Sequence, residues 1–238
     1  MKKDFNIDLV FNAFNEIETI EKDLNHIKNL SRKNNLIKKV IVVEDGSSDG
    51  TSEKLKELEL ETGILLNQSD ERRGYSQALI EGIKTSNADF VFFSDLGGKF
   101  NWEDINLLIN ELPENDFILG VRKNRKDQVY RRMLTFFYSF YIRIFYGVKS
   151  KDPDSGFRIY KKNTINRILN EEIHNKHLLN SEFTIKCIKL GAKYKEVNVD
   201  YINREGKSRG LPLIIIPKVI ISTILNSFKI RRQVKNYE

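Results

Sequence analysis

The sequence predicts an α/β fold with a mainly parallel, doubly wound sheet flanked by helices. Short apolar runs of strand length alternate with longer runs of helix length along the first half of the chain, and this alternation is typical of parallel sheets. Polar and acidic residues follow the ends of three of these apolar runs, at 12–16, 44–49 and 95–99. Because ligands bind beyond the carboxyl ends of the strands in such sheets, these positions predict a binding site.

The individual elements follow from the apolar pattern. A first helix is predicted over 16–34, where Ile20, Leu24 and Ile27 recur at helical spacing. Further helices are predicted from about residue 48, over 74–86 and over 126–148. Strands are expected where apolar runs are short, at 7–11, 38–46, 63–68, 89–95 and 116–122.

Composition limits the class of protein. A chain of 238 residues can form one large domain or at most two small ones, and 40% hydrophobic with 31% charged residues is typical of a soluble globular protein. The single cysteine, Cys187, excludes a disulfide framework and a cysteine-based metal site. The first residues carry no apolar signal segment, so a cytoplasmic protein is expected.

The net charge of +7 predicts an anionic partner. Basic residues cluster at 122–132, 204–209 and 229–235, but they do not alternate with aromatic residues in a nucleic-acid-binding motif. Nucleic acid is therefore not expected as a partner. A phosphate-rich substrate together with an anionic membrane surface is the preferred interpretation.

Two segments allow two interpretations each. The helix predicted over 126–148 is rich in aromatic residues, most of which are expected in the core and a minority at lipid headgroups. The tail 211–238 is interrupted by prolines and polar residues, which disfavours a transmembrane span. It is interpreted either as an amphipathic, basic helix in a membrane interface or as a helix docked on the core. Its apolar stripe contains Ile220, Ile221, Ile224, Leu225 and Phe228.

The stretch "FSDLGGKFNWED" has half of a metal site. Asp95 follows an apolar strand, and a carboxylate two residues later would complete a clamp for a divalent cation, but that position is Gly97. Lys99 follows and is itself a cation. Mg²⁺ or Mn²⁺ held by Asp95 alone and by substrate phosphates would bind weakly. We therefore hypothesise that Lys99 replaces the charge of the metal.

Five blocks of sequence together resemble a known family. They span roughly residues 7–209 and are "FNAFNE", "VVEDGSSDGT", "RRGYSQALIEGIKTSNADFVFFSD", "DPDSGFRIY" and "NSEFTIKCIKLGAKYKEVNVDYINREGKS". Their order and spacing resemble those of the family 2 glycosyltransferases of the GT-A fold, and within them the polyprenyl-phosphate glycosyltransferases such as dolichyl-phosphate mannose synthase. The resemblance implies a Rossmann-like nucleotide-binding domain over residues 1–210, followed by a juxtamembrane tail over 211–238.

The resemblance also implies an activity. The expected reaction is inverting transfer of a sugar from a UDP- or GDP-sugar to a polyprenyl phosphate, at the cytosolic membrane face and with or without a membrane subunit. One alternative is transfer to a saccharide hydroxyl in surface-polysaccharide synthesis. Another is a non-catalytic relative that has lost its metal site.

Roles for single residues are carried over from the matching motifs. The residues expected to bind the donor nucleotide are Asn12, Phe14, Glu16, Glu44, Asp45, Gly74, Asp95 and Lys99. Asp45 is expected to contact the base, and Asp152 to be the base for a hydroxyl acceptor. The expected catalytic residues are Asp95, Arg122, Asp152 and Arg158. The expected acceptor or phosphate ligands are Arg131, Glu182, Arg204, Ser208 and Arg209.

Overall fold

The computed structural model describes residues 5–125, 129–202 and 213–237. Within these ranges one seven-stranded sheet has the order β3-β2-β1-β4-β6-β5-β7. Strand β6 is antiparallel to both of its neighbours, and the other pairs are parallel. The strands are β1 Ile7–Ala13, β2 Ile37–Asp45, β3 Leu65–Ser69, β4 Phe90–Asp95, β5 Phe117–Lys123, β6 Arg158–Lys161 and β7 Tyr194–Asp200. The expected α/β fold with a mainly parallel sheet is confirmed.

Helices cover both faces of this sheet. They are α1 Ile20–Lys33, α2 Thr51–Thr62, α3 Tyr75–Thr85, α4 Ile105–Glu111, α5 Val129–Tyr146, α6 Lys162–Leu169, α7 Leu179–Lys189 and α8 Ile216–Val234. Helix α1 begins four residues later than the sequence predicted. The N–H groups of Asn15 and Glu16 donate instead to the hydroxyls of Ser47 and Thr51, which ties this segment to the loop after β2.

The central strands β1 and β4 are buried on both faces, which explains their continuous apolar runs. Ile7, Leu9 and Phe11 of β1 pack in one core layer with α1, α2 and α4. Val10 points to the other layer, where Ala78 of α3 and Phe183 of α7 lie. The sheet therefore has a core on each side, and its strand ends form one edge where polar residues collect.

Helices α5 and α8 pack together beside α7. Ile142 and Tyr146 of α5 form a small core with Ile185, Ile230 and Val234. The hydroxyl of Tyr146 donates to the carbonyl oxygen of Ser227, 3.2 Å away. One face of the tail helix therefore docks on the domain, as the second interpretation of the tail expected. The domain boundary predicted at residue 210 lies outside the described residues.

The opposite face of α8 is exposed, and it is the apolar stripe named from the sequence: Ile220, Ile221, Ile224, Leu225 and Phe228. Helix α5 adds exposed Phe136, Phe137, Phe140 and Ile144. The aromatic residues of this helix divide between core and surface. Tyr146 is buried, and Tyr138, Tyr141 and Phe145 pack against the same small core, whereas Phe136, Phe137 and Phe140 are exposed. In the described part of the chain, no helix is both long and apolar enough to cross a membrane.

Candidate active site

The polar residues predicted from the three strand ends come together at one edge of the sheet. Asn12 of β1 is paired in register with Asp95 of β4, and Asp45 ends the adjacent strand β2. The N–H of Leu96 donates to the carbonyl oxygen of Asn12 at 3.0 Å, which closes the first turn after β4. This edge is the position expected for a ligand in a parallel sheet.

Asp45 organises the start of helix α3. Its carboxylate accepts the N–H groups of Arg73 at 2.7 Å and of Gly74 at 3.1 Å. Gly74 has a φ of +88°, a conformation that glycine adopts without strain. Contact between Asp45 and a nucleotide base stays a prediction, since its carboxylate is here engaged with the backbone.

The neighbours of Asp45 line the same edge. Glu44 is fully buried, and its Oε1 accepts the N–H of Ser47 at 2.6 Å. Its Oε2 is buried without a hydrogen-bond partner among the described residues. The guanidinium of Arg72 lies 4.0 Å from the ring centre of Phe14. Phe14, which is predicted to bind the donor nucleotide, is therefore part of a cation–π stack.

The loop after β4 does not fit the family's clamp of two carboxylates. A Cβ built on Gly97 would lie 2.8 Å from both carboxylate oxygens of Glu16, so the space for a second acidic side chain is already filled. Burial raises the pKa of Asp95, and the cations Lys99 and Arg122 act against that rise. Lys99 and Arg122 are thus the protein cations that act on Asp95. The described ranges contain no group of three or more His, Cys, Asp or Glu residues able to hold a metal.

Arg122 and Asp152 form a bidentate ion pair beside Asp95. Arg122 Nε lies 2.6 Å from Asp152 Oδ2, and Arg122 Nη2 lies 2.6 Å from Asp152 Oδ1. Burial alone would raise the pKa of Asp152, but Arg122 holds it below its ordinary value. A carboxylate with a lowered pKa is a weak base. In the structure Asp152 is the partner that orients Arg122, and its role as the base for a hydroxyl acceptor stays a prediction.

Arg158 is fully buried and does not face the cleft. Its guanidinium donates to three backbone carbonyl oxygens. Nε bonds Ser155 at 2.7 Å, Nη2 bonds Pro153 at 3.0 Å and Nη1 bonds Asn180 at 2.8 Å. These bonds fasten the 152–158 segment to α7. The bonds observed for Arg158 are structural ones to backbone oxygens, and its catalytic role stays a prediction.

Glu182 also differs from expectation. It is buried, and its carboxylate accepts Lys186 Nζ at 2.8 Å and the N–H of Asn175 at 2.6 Å. Contact with an acceptor is thus not its observed role. The predicted phosphate ligands Arg204, Ser208 and Arg209 lie outside the described residues.

Three polar residues near Asp95 were missed by sequence reasoning: Tyr75, Asp154 and Asn180. Asn180 Nδ2 donates to the hydroxyl of Tyr75 at 2.9 Å, and a Cβ built on Gly156 would lie 3.6 Å from Asp95 Oδ2. The 152–158 segment therefore reaches Asp95. Burial raises the pKa of Asp154 to about 6, and its Oδ1 accepts the hydroxyl of Ser181 at 3.1 Å. The two aspartates of "DPDS" look alike in sequence, and only the position of Arg122 separates their chemistry.

A cavity of about 880 Å³ lies between α5 and the ends of β5 and β7, next to the Arg122–Asp152 pair. Phe136 and Phe140 form part of its wall. Arg132 lines it, whereas Nε of the predicted ligand Arg131 bonds the hydroxyl of Tyr130 at 3.1 Å. The basic lining residues are Arg122, Arg125, Arg132, Arg143, Lys149 and Lys151. The cavity can thus accept a multiply charged anion.

The sheet order, the site at the strand ends and the cationic surroundings of Asp95 define the class: a GT-A glycosyltransferase. The chain belongs to glycosyl transferase family 2, whose model matches residues 8–173. It is 27% identical over 228 residues to an uncharacterised protein of Methanocaldococcus jannaschii, covering 91% of this chain and 90% of that protein. It is 24% identical over 208 residues to the undecaprenyl-phosphate mannosyltransferase of Micrococcus luteus, covering 83% and 84% of the two chains.

Solved structures share the fold. Mannosyl-3-phosphoglycerate synthase from Rubrobacter xylanophilus superimposes with a TM-score of 0.69 at 15% identity, covering 96% of this chain and 75% of that one. Glucosyl-3-phosphoglycerate synthase from Mycobacterium tuberculosis, in complex with Mn²⁺, UDP and glucosyl-3-phosphoglycerate, gives a TM-score of 0.68 at 16% identity over 95% and 81% of the chains. The expected family and enzyme class are confirmed.

Proposed function

We propose that this enzyme transfers a sugar, with inversion, from a UDP- or GDP-sugar to a polyprenyl phosphate while it lies on the cytosolic face of an anionic membrane. The observation that carries the proposal is the basic cavity beside Arg122, whose wall continues through Phe136 and Phe140 into the exposed apolar face of α5 and α8. A polyprenyl phosphate has two matching parts: an anionic phosphate for the basic cavity and a hydrocarbon chain for the apolar face. The similarity to an undecaprenyl-phosphate mannosyltransferase supports this acceptor.

An anionic acceptor fits the chemistry of the cavity. A phosphate oxygen is already a nucleophile and needs cations more than a strong base. Arg122 is held in place by Asp152 and lies close enough to influence Asp95. An arginine in this position would orient the acceptor phosphate toward the donor sugar, and this orientation accelerates the displacement.

On the donor side, the diphosphate leaving group gains negative charge as the sugar departs. Fixed cations in a partly buried site stabilise that charge best. We propose that Lys99 and Arg122 supply the stabilisation, because these two cations are the charges that act on Asp95. In this proposal Lys99 does what a divalent ion does in relatives such as the Mn²⁺ complex from Mycobacterium tuberculosis.

The membrane surface is proposed as the partner of the face formed by α5 and α8. An apolar helix face embedded at headgroup depth, with basic residues beside it, binds anionic lipid surfaces. On α8 the exposed stripe is followed by exposed Lys229, Arg231, Arg232 and Lys235. This arrangement would bring a lipid acceptor to the cavity at the membrane surface.

The decisive experiment is a transfer assay with the purified full chain. UDP- and GDP-sugars are combined with a polyprenyl phosphate in anionic vesicles, with added Mn²⁺ or with excess EDTA. We expect glycolipid formation that persists in EDTA and falls at least tenfold in Lys99→Ala. Lys123→Ala, at an exposed lysine where β5 ends, is the matched control and should retain the wild-type rate. Strict dependence on Mg²⁺ or Mn²⁺ with an active Lys99→Ala variant would contradict the role of Lys99.

A second candidate function is transfer to a saccharide hydroxyl, and Asp154 favours it. A hydroxyl acceptor needs a general base, and a carboxyl group whose pKa is about 6 is suited to that task near neutral pH. Asp154→Asn tests the two acceptors against each other. Loss of transfer to a glycan in this variant supports the second function, whereas unchanged transfer to polyprenyl phosphate supports the first. Absence of turnover with every donor would favour a non-catalytic relative.

A further inference from the structure

Asp23 of α1 makes an unusual set of bonds with the loop that follows β4. Its Oδ2 accepts the N–H of Gly97 at 2.8 Å and the N–H of Gly98 at 2.9 Å. Its Oδ1 accepts Trp102 Nε1 at 2.9 Å. Asp23 is 5% exposed, so one buried carboxylate fastens both ends of a six-residue segment, 97–102.

The backbone of this segment is shaped for those bonds. Gly97 has a φ of +118° and Gly98 a φ of +63°, so both lie in the left-handed region that side chains disfavour. This pair of conformations turns two successive N–H groups toward the same oxygen of Asp23. Without that anchor, two adjacent glycines would leave the loop many other conformations.

The far side of the segment is fixed as well. The carbonyl oxygen of Lys99 accepts the N–H of Ile202 at 2.8 Å, and Phe100 forms an antiparallel bridge with Tyr201. The ring of Phe100 is 6.4 Å from that of Trp102. The backbone of Lys99 is thereby held between two anchors, and its half-buried side chain lies near Asp95.

We infer that Asp23 is a positioning residue: it holds the 97–102 segment in the one conformation that places Lys99 at the donor diphosphate. The inference rests on the proposed function, since it assumes that Lys99 contacts the diphosphate. A carboxylate on a neighbouring helix fixes the loop through three N–H groups of the chain itself. A shift of about 1 Å in a group that stabilises the transition state can cost on the order of 100-fold in rate.

The test is the variant Asp23→Asn, whose side chain has the same shape but one acceptor oxygen instead of two. We expect kcat for sugar transfer to fall roughly 10- to 100-fold. Affinity for UDP or GDP should fall as well, because Lys99 is proposed to contact the diphosphate, whereas affinity for the free nucleoside, uridine or guanosine, should change less than about threefold. The control is Asp8→Asn, at a buried aspartate that accepts a bond from Ser86 at the other end of the strands. This control should lower the melting temperature without changing kcat.

Trp102 gives a readout that does not depend on turnover. It is the one tryptophan in the sequence, so the indole N–H resonance, and fluorescence excited at wavelengths that tyrosine does not absorb, report on this loop alone. In Asp23→Asn we expect a red-shifted emission and a displaced indole resonance, and in Asp8→Asn neither change. If wild-type enzyme transfers no sugar, the proposed function fails, and the Trp102 signals of the two variants still decide whether Asp23 holds the 97–102 segment in its conformation.

Two results would overturn the inference. One is an Asp23→Asn enzyme whose kcat stays within about twofold of wild type while its melting temperature falls as in Asp8→Asn. The other is an unchanged Trp102 spectrum in Asp23→Asn. If Asp23→Asn does not fold, Trp102→Phe replaces it in the kinetic test. A smaller aromatic ring takes the place of the indole, one of the three bonds is lost, and kcat should fall by a smaller factor of about 3 to 10. A kcat equal to wild type in that variant would also contradict the inference.

Discussion

Two regions of the molecule meet at Arg122 and are built in opposite ways. The donor region comprises the carboxyl ends of β1, β2 and β4 with the 97–102 segment. Its carboxylates, such as Asp23 and Asp45, are buried and bonded to backbone N–H groups of the same chain. The second region, called the acceptor region after its proposed role, comprises the cavity with α5 and α8, and it presents basic and apolar side chains at the surface.

The difference shows which region is fixed by contacts within the chain and which region exposes groups for a partner. Hydrogen bonds within the chain already fix the donor region, so it is organised before a substrate arrives. The acceptor region exposes a run of large apolar side chains on two adjacent helices, and soluble monomers rarely expose such contiguous patches without a partner. We therefore expect substitutions in the donor region to affect folding and catalysis together, and substitutions on the exposed face to affect binding alone.

The largest effect is expected where the regions meet. Arg122→Met leaves Asp152 buried without its partner, which should lower the free energy of unfolding by about 3–5 kcal/mol and reduce transfer at least 100-fold. The double variant Arg122→Met/Asp152→Asn removes the unpaired charge and should regain most of the stability but none of the activity. Denaturant unfolding and the transfer assay measure the two effects. An active double variant would show that Arg122 serves folding alone.

A smaller effect, confined to binding, is expected on the exposed face. Phe137, Ile221 and Leu225 are each more than half exposed. Changing all three to serine should lower partitioning onto anionic vesicles at least tenfold and leave the melting temperature within about 2 °C of wild type. Leu60→Ser is the control, because Leu60 is a still more exposed leucine and lies on α2, away from this face.

Vesicle sedimentation is the measurement for this prediction. Deletion of residues 211–238 is a poorer test than the triple variant, since Val219, Ile230 and Val234 of α8 are buried and their removal would damage folding. Unchanged partitioning of the triple variant would place the membrane contact elsewhere, or would indicate that another protein covers this face.

The smallest effect concerns the dependence of stability on pH. Because Asp154 has a pKa of about 6 in the folded chain, above its ordinary value of 3.8, the folded state holds a proton more tightly than the unfolded state. Stability from this group is present below pH 3.8 and is lost as pH rises through 6. Asp154→Asn should remove this loss of stability at higher pH, because an amide does not ionise and its oxygen can still accept the bonds from Ser181.

The expected result is a variant nearly as stable as wild type near pH 4 and about 2–3 kcal/mol more stable at pH 7.5. Chemical denaturation at the two pH values measures the difference. A variant that is less stable at both values would show that the ionised form of Asp154 is favoured by its surroundings, and it would remove the main support for the hydroxyl acceptor.

Much of the fold and part of the site could be predicted from local sequence. The alternation of apolar runs determined the strands β1 to β5, because buried parallel strands must be apolar on both faces. The replacement of the second acid by Gly97 could also be seen without a structure. Strand β6 was not separated from its surroundings, since it is only four residues long and antiparallel.

The sequence by itself determined the α/β architecture and which chemical groups are present at its strand ends and tail. These groups are one carboxylate at Asp95, a cation at Lys99 and an apolar stripe on the tail. Only the tertiary structure decided which groups are free to act. It paired Asp152 with Arg122, buried Arg158 among backbone oxygens and joined Asp23 to Trp102 across 79 residues of sequence. The physical reason is that the nearest partners of a polar side chain decide whether it is free to react. Packing of the helices on the sheet brings those partners together from distant parts of the chain.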